Sequence, residues 1–377
     1  MNINNLIDFL EPVNRFHLSD DQGYTDAQIG SHIGFYEDAL PDINDFDCVL
    51  VGCNEVRGSG VTGSSFNTTN NIRKQLYNLF YWHNSVKLVD IGDIKVGASV
   101  QDSYAAIKTV VKELLGLSKR VIIFGGSHDV MIAQYQAYGE LKNFFEVACI
   151  DAKIDLDNSS LFPADNFLMT IFTSEPNFIN HYNHIGFQSF FVHSKMLETI
   201  GKLGFDCYRV GKVKENLEEI EPAIRNTNLI SFDISAIQNA HAPANRLTPN
   251  GFTGEEACTL TQYAGMSTTF NTLGIHGYNP SLDIHNMTAK QIAQMIWYYV
   301  DGIYKGQGED LHFNKNNFNE YNVTFAEIST TFLQSKYTNR WWMKLPNGTF
   351  TACSKLDYVM ASHNEIPERW LRYVERQ

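Results

Sequence analysis

The sequence predicts a three-layer α/β/α sandwich around a doubly wound, mainly parallel sheet of about eight strands, with N- and C-terminal additions. Two observations carry this reading. Short runs rich in β-branched and aromatic residues alternate with longer amphipathic stretches, and three segments rich in Asp, His and Gly each stand where a strand should end. A chain of 377 residues, 44% hydrophobic and 13% aromatic, can bury one large core without division into many domains.

The strand candidates are 47–52, 86–91, 120–124, 146–150, 189–193, 207–210, 229–232 and 272–276. The segments 72–82, 104–115, 130–141, 217–225, 254–267 and 288–303 carry apolar residues at helical spacing, so helices should cover both sheet faces. Residues 1–45 are polar and weakly patterned and read as an N-terminal extension to an α/β domain over 46–305. Residues 306–377, which include Arg340-Trp341-Trp342-Met343, read as a C-terminal extension packed on the core, with Gly306 to Asp310 as the hinge. Trp341 and Trp342 are expected in a core, as aromatic pairs usually are.

Composition excludes several functions. A formal charge of -13 opposes binding to nucleic acid, whose affinity rests on Lys and Arg neutralising phosphates, and equally opposes an anionic membrane. Neither a basic, apolar leader nor an apolar run long enough to cross a bilayer is present, so a cytoplasmic protein is expected. Cys48, Cys53, Cys149, Cys207, Cys258 and Cys353 are scattered without zinc-type spacing and read as reduced, mostly buried thiols.

The chemistry lies in Gly125-Gly126-Ser127-His128-Asp129, Asp151-Ala152-Lys153-Ile154-Asp155 and Ser231-Phe232-Asp233-Ile234-Ser235. Carboxylates and imidazoles hold divalent cations, whereas the Lys153 ammonium repels them. The set resembles the ureohydrolase superfamily of arginase, agmatinase and formimidoylglutamase, whose motifs run Gly-Gly-Asp-His-Ser, Asp-Ala-His-x-Asp and Ser-x-Asp-x-Asp-x-x-Asp-Pro. Further echoes are Val51-Gly52-Cys53, Ile72-Arg73, Val89-Asp90-Ile91-Gly92-Asp93, Ala242-Pro243-Ala244 and Tyr278-Asn279-Pro280, so the likeness spans roughly the first three hundred residues apart from the N-terminal lead-in.

The resemblance implies an arginase-like fold, a two-manganese site and hydrolysis of C–N bonds in a linear amidine or guanidino molecule. One metal would be held by His128, Asp151, Asp155 and Asp233, all of which keep a ligand type. The second would need an imidazole at 153 and a carboxylate at 235, which here are Lys153 and Ser235. The expectation is therefore one manganese-type ion per chain, or none, with Lys153 neutralising Asp151 and Asp233 in place of the second. The substrate-binding glutamate of the family corresponds to Gly277 and its proton-shuttling histidine approximately to Leu168, so the catalytic residues stay unassigned. A catalytically silent relative that binds a ligand or partner is the rival reading. A homo-oligomer is expected by resemblance only.

Other candidates carry plainer readings. Asp157 is expected in a solvated loop, His241 as a packed loop histidine, and His181 and His184 in an exposed Asn-rich loop. Ser235 is expected to bond neighbouring backbone, and Arg57-Gly58-Ser59-Gly60 to form a flexible active-site rim.

Overall fold

The computed structural model describes all residues except 1–2, 16–17, 20–22, 62–67, 268, 270, 308, 310–314 and 376–377. The strands of the first sheet are β1 (Leu10–Glu11), β2 (Gly34–Phe35), β3 (Cys48–Cys53), β4 (Leu88–Ile94), β5 (Arg120–Gly125), β6 (Phe145–Ile150), β7 (Ile179–Phe187), β8 (Asp206–Arg209), β9 (Leu229–Asp233) and β10 (Thr272–His276). The order runs β1-β4-β3-β5-β10-β9-β6-β7-β8, with β2 also on β4. From β4 to β8 every pairing is parallel, which gives the expected eight-stranded core. The antiparallel β1 and the parallel β2, both two residues long, add the N-terminal segment to the edge at β4.

Parallel strands covered on both faces should be continuously apolar, and β3 (Cys-Val-Leu-Val-Gly-Cys) is buried at all six positions. The helices are α1 (Ile29–His32), α2 (Thr68–Tyr77), α3 (Val100–Gly116), α4 (Met131–Glu140), α5 (Pro163–Phe172), α6 (Ser194–Lys202), α7 (Val210–Glu215), α8 (Glu221–Arg225), α9 (Gly254–Gly265) and α10 (Met287–Gly306). One apolar cluster joins α2, α9 and α10 to one face of the sheet, and another joins α3, α4 and α5 to the opposite face.

The C-terminal residues form a second sheet, β11 (Phe318–Phe325), β12 (Ile328–Ser335), β13 (Trp341–Lys344) and β14 (Phe350–Cys353), antiparallel throughout, followed by α11 (Lys355–Ser362) and α12 (Glu368–Glu375). This unit has its own apolar cluster around Phe325, Phe332 and Trp370. Trp341 and Trp342 are buried on β13. Of the hinge segment, Gly308 and Asp310 lie outside the described residues, and Glu309 is buried against Arg340.

Three expectations need correction. Segment 189–193 is a 3-10 turn (Ser189–Phe191), and the strand lies just before it in β7. His181 and His184 are therefore buried strand residues, not parts of an exposed loop. Their polarity hid the strand, because each polar group is satisfied locally: Asn183 Nδ2 donates to Ala223 O at 3.1 Å, and His184 Nδ1 lies 2.9 Å from Tyr182 OH. Segment 217–225 is a 3-10 turn over Leu217–Ile220 followed by the five-residue α8, which has Pro222 in its first turn.

Candidate metal centre

The three motifs meet at the carboxyl edge of the sheet, where β5 and β6 have parted to admit β10 and β9 between them. His128 stands in the 3-10 turn after β5, Asp151 and Asp155 follow β6, and Asp233 ends β9. They line a cavity of about 250 Å³ together with Lys153, Ser235, Gly277, Arg246 and Tyr278.

His128 Nδ1 lies 3.1 Å from Asp151 Oδ2, 3.1 Å from Asp155 Oδ2 and 3.9 Å from Asp233 Oδ2. One ligand atom each from His128, Asp151 and Asp155 fall within 4.8 Å of one another. Nδ1 and Asp155 Oδ2 are both buried and neither has a hydrogen-bond partner of correct geometry. Buried donor atoms gathered this closely around one point are what a chelate presents before a cation closes it. The residues present therefore fit a divalent ion at His128, Asp151 and Asp155, with Asp233 bordering the same cavity.

The far side of the imidazole is held by Ser231 Oγ, 3.0 Å from Nε2, with Cys149 Sγ at 3.7 Å. A hydrogen on Nε2 donated to Ser231 leaves the Nδ1 lone pair facing the carboxylates, the tautomer a metal requires. Without an ion, charge is unevenly shared. Burial opposes charging of His128, but Cys149, Asp151 and Asp155 reverse this and raise its pKa well above the ordinary value. Burial and the Asp151 charge push Asp155 up, whereas in Asp151 the effect of burial is overcome by His128 and Ser235, so its carboxyl sits below the usual range. Burial keeps the neighbouring His184 and His276 neutral, lowering them to about 4 and about 3.

Lys153 lies in the cavity, but its partner differs from the expected one. Nζ donates to Asp165 Oδ1 at 2.6 Å and reaches Asp155 Oδ1 at 3.8 Å; the Asp151 charge acts on it more weakly than these two, and its ion-pair contacts are with Asp165 and Asp155. The physical reason is Asp165, a fourth carboxylate in the first turn of α5. Ser235 does not simply bond backbone either: its hydroxyl donates to Asp151 Oδ1 and its N–H donates to Asp233 Oδ1 at 2.7 Å.

Gly277 lines the cavity at φ +84°, and a Cβ there would stand 2.8 Å from Asp233 Oδ2. Leu168, by contrast, is fully buried core on α5 and does not line the cavity; the cavity-facing residues of that helix are Ala164 and Asp165. Asp157 is exposed and accepts from Ser159 N at 2.9 Å, as a loop carboxylate would. His241 packs in its loop outside the cavity lining. The rim at Arg57 is pinned: its guanidinium bonds Glu55, Ala98 O and Gly97 O.

Sequence reasoning missed Asp165 and the role of Ser231. Pro163 followed by an acid two residues later is a helix-start signal, and it would have put Asp165 at the same edge as the motifs.

All six cysteines are free, five of them buried. No helix among the described residues is long and apolar enough to cross a membrane. No curated protein matches the chain significantly by sequence. Among solved structures, a formimidoylglutamase from Bacillus subtilis superposes with a TM-score of 0.64 at 19% identity, covering 76% of this chain and 94% of that one. A Trypanosoma cruzi formiminoglutamase with Mn2+ gives 0.63 at 17% identity over 70% and 96%, and a hypothetical agmatinase from Burkholderia thailandensis gives 0.59 at 17% over 70% and 88%. At such identities these likenesses speak for the shared fold. The arginase family model matches residues 46–301, well over half of the sequence, and the chain belongs to the arginase family.

Proposed function

We propose that the protein hydrolyses a C–N bond in a linear amidine or guanidino small molecule, in the manner of a formimidoylglutamase or arginase, with one manganese-type ion per chain. The observation that carries the reading is the convergence of buried ligand atoms, with His128 Nδ1 3.1 Å from both Asp151 Oδ2 and Asp155 Oδ2. His128, Asp151, Asp155 and Asp233 would hold the ion, which when bound would polarise a substrate and bring water towards a pKa of ~7. In place of a second ion stand Lys153, which supplies positive charge beside Asp155, and Ser235, which satisfies Asp151.

Four carboxylates (Asp151, Asp155, Asp233 and Asp165) against one divalent ion, the Lys153 ammonium and the Arg246 guanidinium sum to zero, so net charge alone does not select the substrate head.

The test is release of urea, ammonia or formamide from a panel of guanidino and formimino compounds by manganese-loaded protein. Turnover of at least one compound, abolished in Asp155→Asn, is the expected result. Metal-loaded protein that turns over none of them would contradict the hydrolase reading and favour a binding scaffold.

A further inference from the structure

A second cavity, of about 360 Å³, lies at the opposite edge of the same sheet. Its floor comes from the early residues of three adjacent strands, Glu146 on β6, His181 on β7 and Asp206 on β8. Asp151 lies five residues beyond Glu146 along β6, so at ~3.3 Å per residue the two cavities are about 17 Å apart. One wall is the segment around α7 and α8. The other is α11 and α12, which fall outside residues 46–301, so the cavity exists only because the C-terminal unit closes over the sheet edge.

The strand residues beneath this seam are polar and buried, with His181 at 6% and Asn183 at 2% exposure, and are held by Asp206 and Ala223 O. The space left open is within the range of small-molecule sites, which begin at ~300 Å³ and favour the junctions between structural units. Six carboxylates border it against three cations. Both arginines are already committed: Arg372 pairs with Asp206 at 2.5 Å and with Glu368, and Arg369 pairs with Asp357 and donates to Glu219 O at 2.9 Å. The Glu219 carboxylate has Arg369 only at 4.0 Å. Burial, with the Asp357 and Glu218 charges nearby, pushes its pKa up against the pull of Ser354 and Arg369. Val213, Ile220 and Met360 supply apolar wall beside it.

We propose that this seam binds a small organic monocation, an amine on a short apolar chain, with the ammonium at Glu219 and the chain against Val213, Ile220 and Met360. Isothermal titration of the full chain with n-hexylamine and hexanoate, matched in shape and opposite in charge, tests it. Saturable one-to-one binding of hexylamine, with hexanoate absent or much weaker, is expected. Glu219→Gln should weaken hexylamine by about fivefold or more, as loss of a partly buried ion pair does. Because that change also touches Arg369, Met360→Trp, which fills the space from the other wall, should abolish binding while leaving the unfolding midpoint in place. Equal binding of the two probes, no saturable binding, or hexylamine binding that survives both variants would overturn the proposal.

Discussion

At Gly277 the backbone turns through φ +84° while its N–H donates to Gly126 O at 2.9 Å, which fixes the loop against the Gly125-Gly126 turn. Any side chain there suffers twice, from the left-handed backbone and from a Cβ 2.8 Å from Asp233 Oδ2. Gly277→Ala is predicted to cost about 1–3 kcal/mol of stability, read as a lower urea midpoint at unchanged slope. An unchanged midpoint would mean that the loop relaxes freely and does not constrain Asp233. His128, Asp151, Asp155 and Asp233 were legible in the sequence because each lies within five residues of a strand end, where chain position alone dictates the edge of the sheet. The partner of Lys153 was not legible. Asp165 lies twelve residues further on, across a loop and a helix start, and only the tertiary fold brings its carboxylate within 2.6 Å of the ammonium.

Helix α3 shows how an element is fixed by its first turn. Ser99 accepts from Asp102 N at 3.1 Å and Asp102 accepts from Ser99 N at 2.8 Å, a reciprocal cap that starts the helix at Val100. Ser99→Ala should lower global stability by ~1 kcal/mol, measured by denaturant titration, with no change in metal content. A loss beyond ~2 kcal/mol would mean that Ser99 supports more than the helix end. The apolar stripe of α3 was readable over 104–115, but the four residues before it were not, since caps are polar and leave no hydrophobic period. Strand β7 failed for a related reason. Its His and Asn side chains are paid for by local partners, so a buried strand carried the composition of a loop. The parallel strands β3, β5 and β9, covered on both faces by helices, had no such disguise.

At the scale of the whole molecule, the C-terminal unit is held to the α/β core by buried charge. Glu221 on α8 pairs with Arg225 and, at 3.1 Å, with Arg340, which in turn pairs with Glu309, and Arg225 lies 4.4 Å over the Trp342 ring. Removing one member strands the others, so Arg340→Met should cost ~3–5 kcal/mol and give a separate early transition in calorimetry. A single cooperative transition at the wild-type temperature would contradict it. The same ladder sets a pH dependence. Burial alone would raise the Glu221 pKa, but Arg225 and Arg340 outweigh it and hold the carboxyl below its ordinary 4.5. A group depressed in the folded state stabilises above its unfolded pKa, so the docked unit should be fully held above pH 4.5 and loosen as pH falls further, seen as an earlier transition in acid. The aromatic character of this unit was legible. Its four antiparallel strands were missed although β11 and β12 alternate polar and apolar residues, the period-two pattern of a sheet with one covered face, because Asn, Thr and Ser make up most of the polar half and give the run the composition of a loop.

The number of ions per chain is the central claim, and elemental analysis of full-length protein after manganese loading and dialysis tests it most directly. One ion per chain is predicted, falling to none in Asp155→Asn and rising to two in the double variant Lys153→His, Ser235→Asp. Two ions in the unmodified protein, or none, would contradict the account.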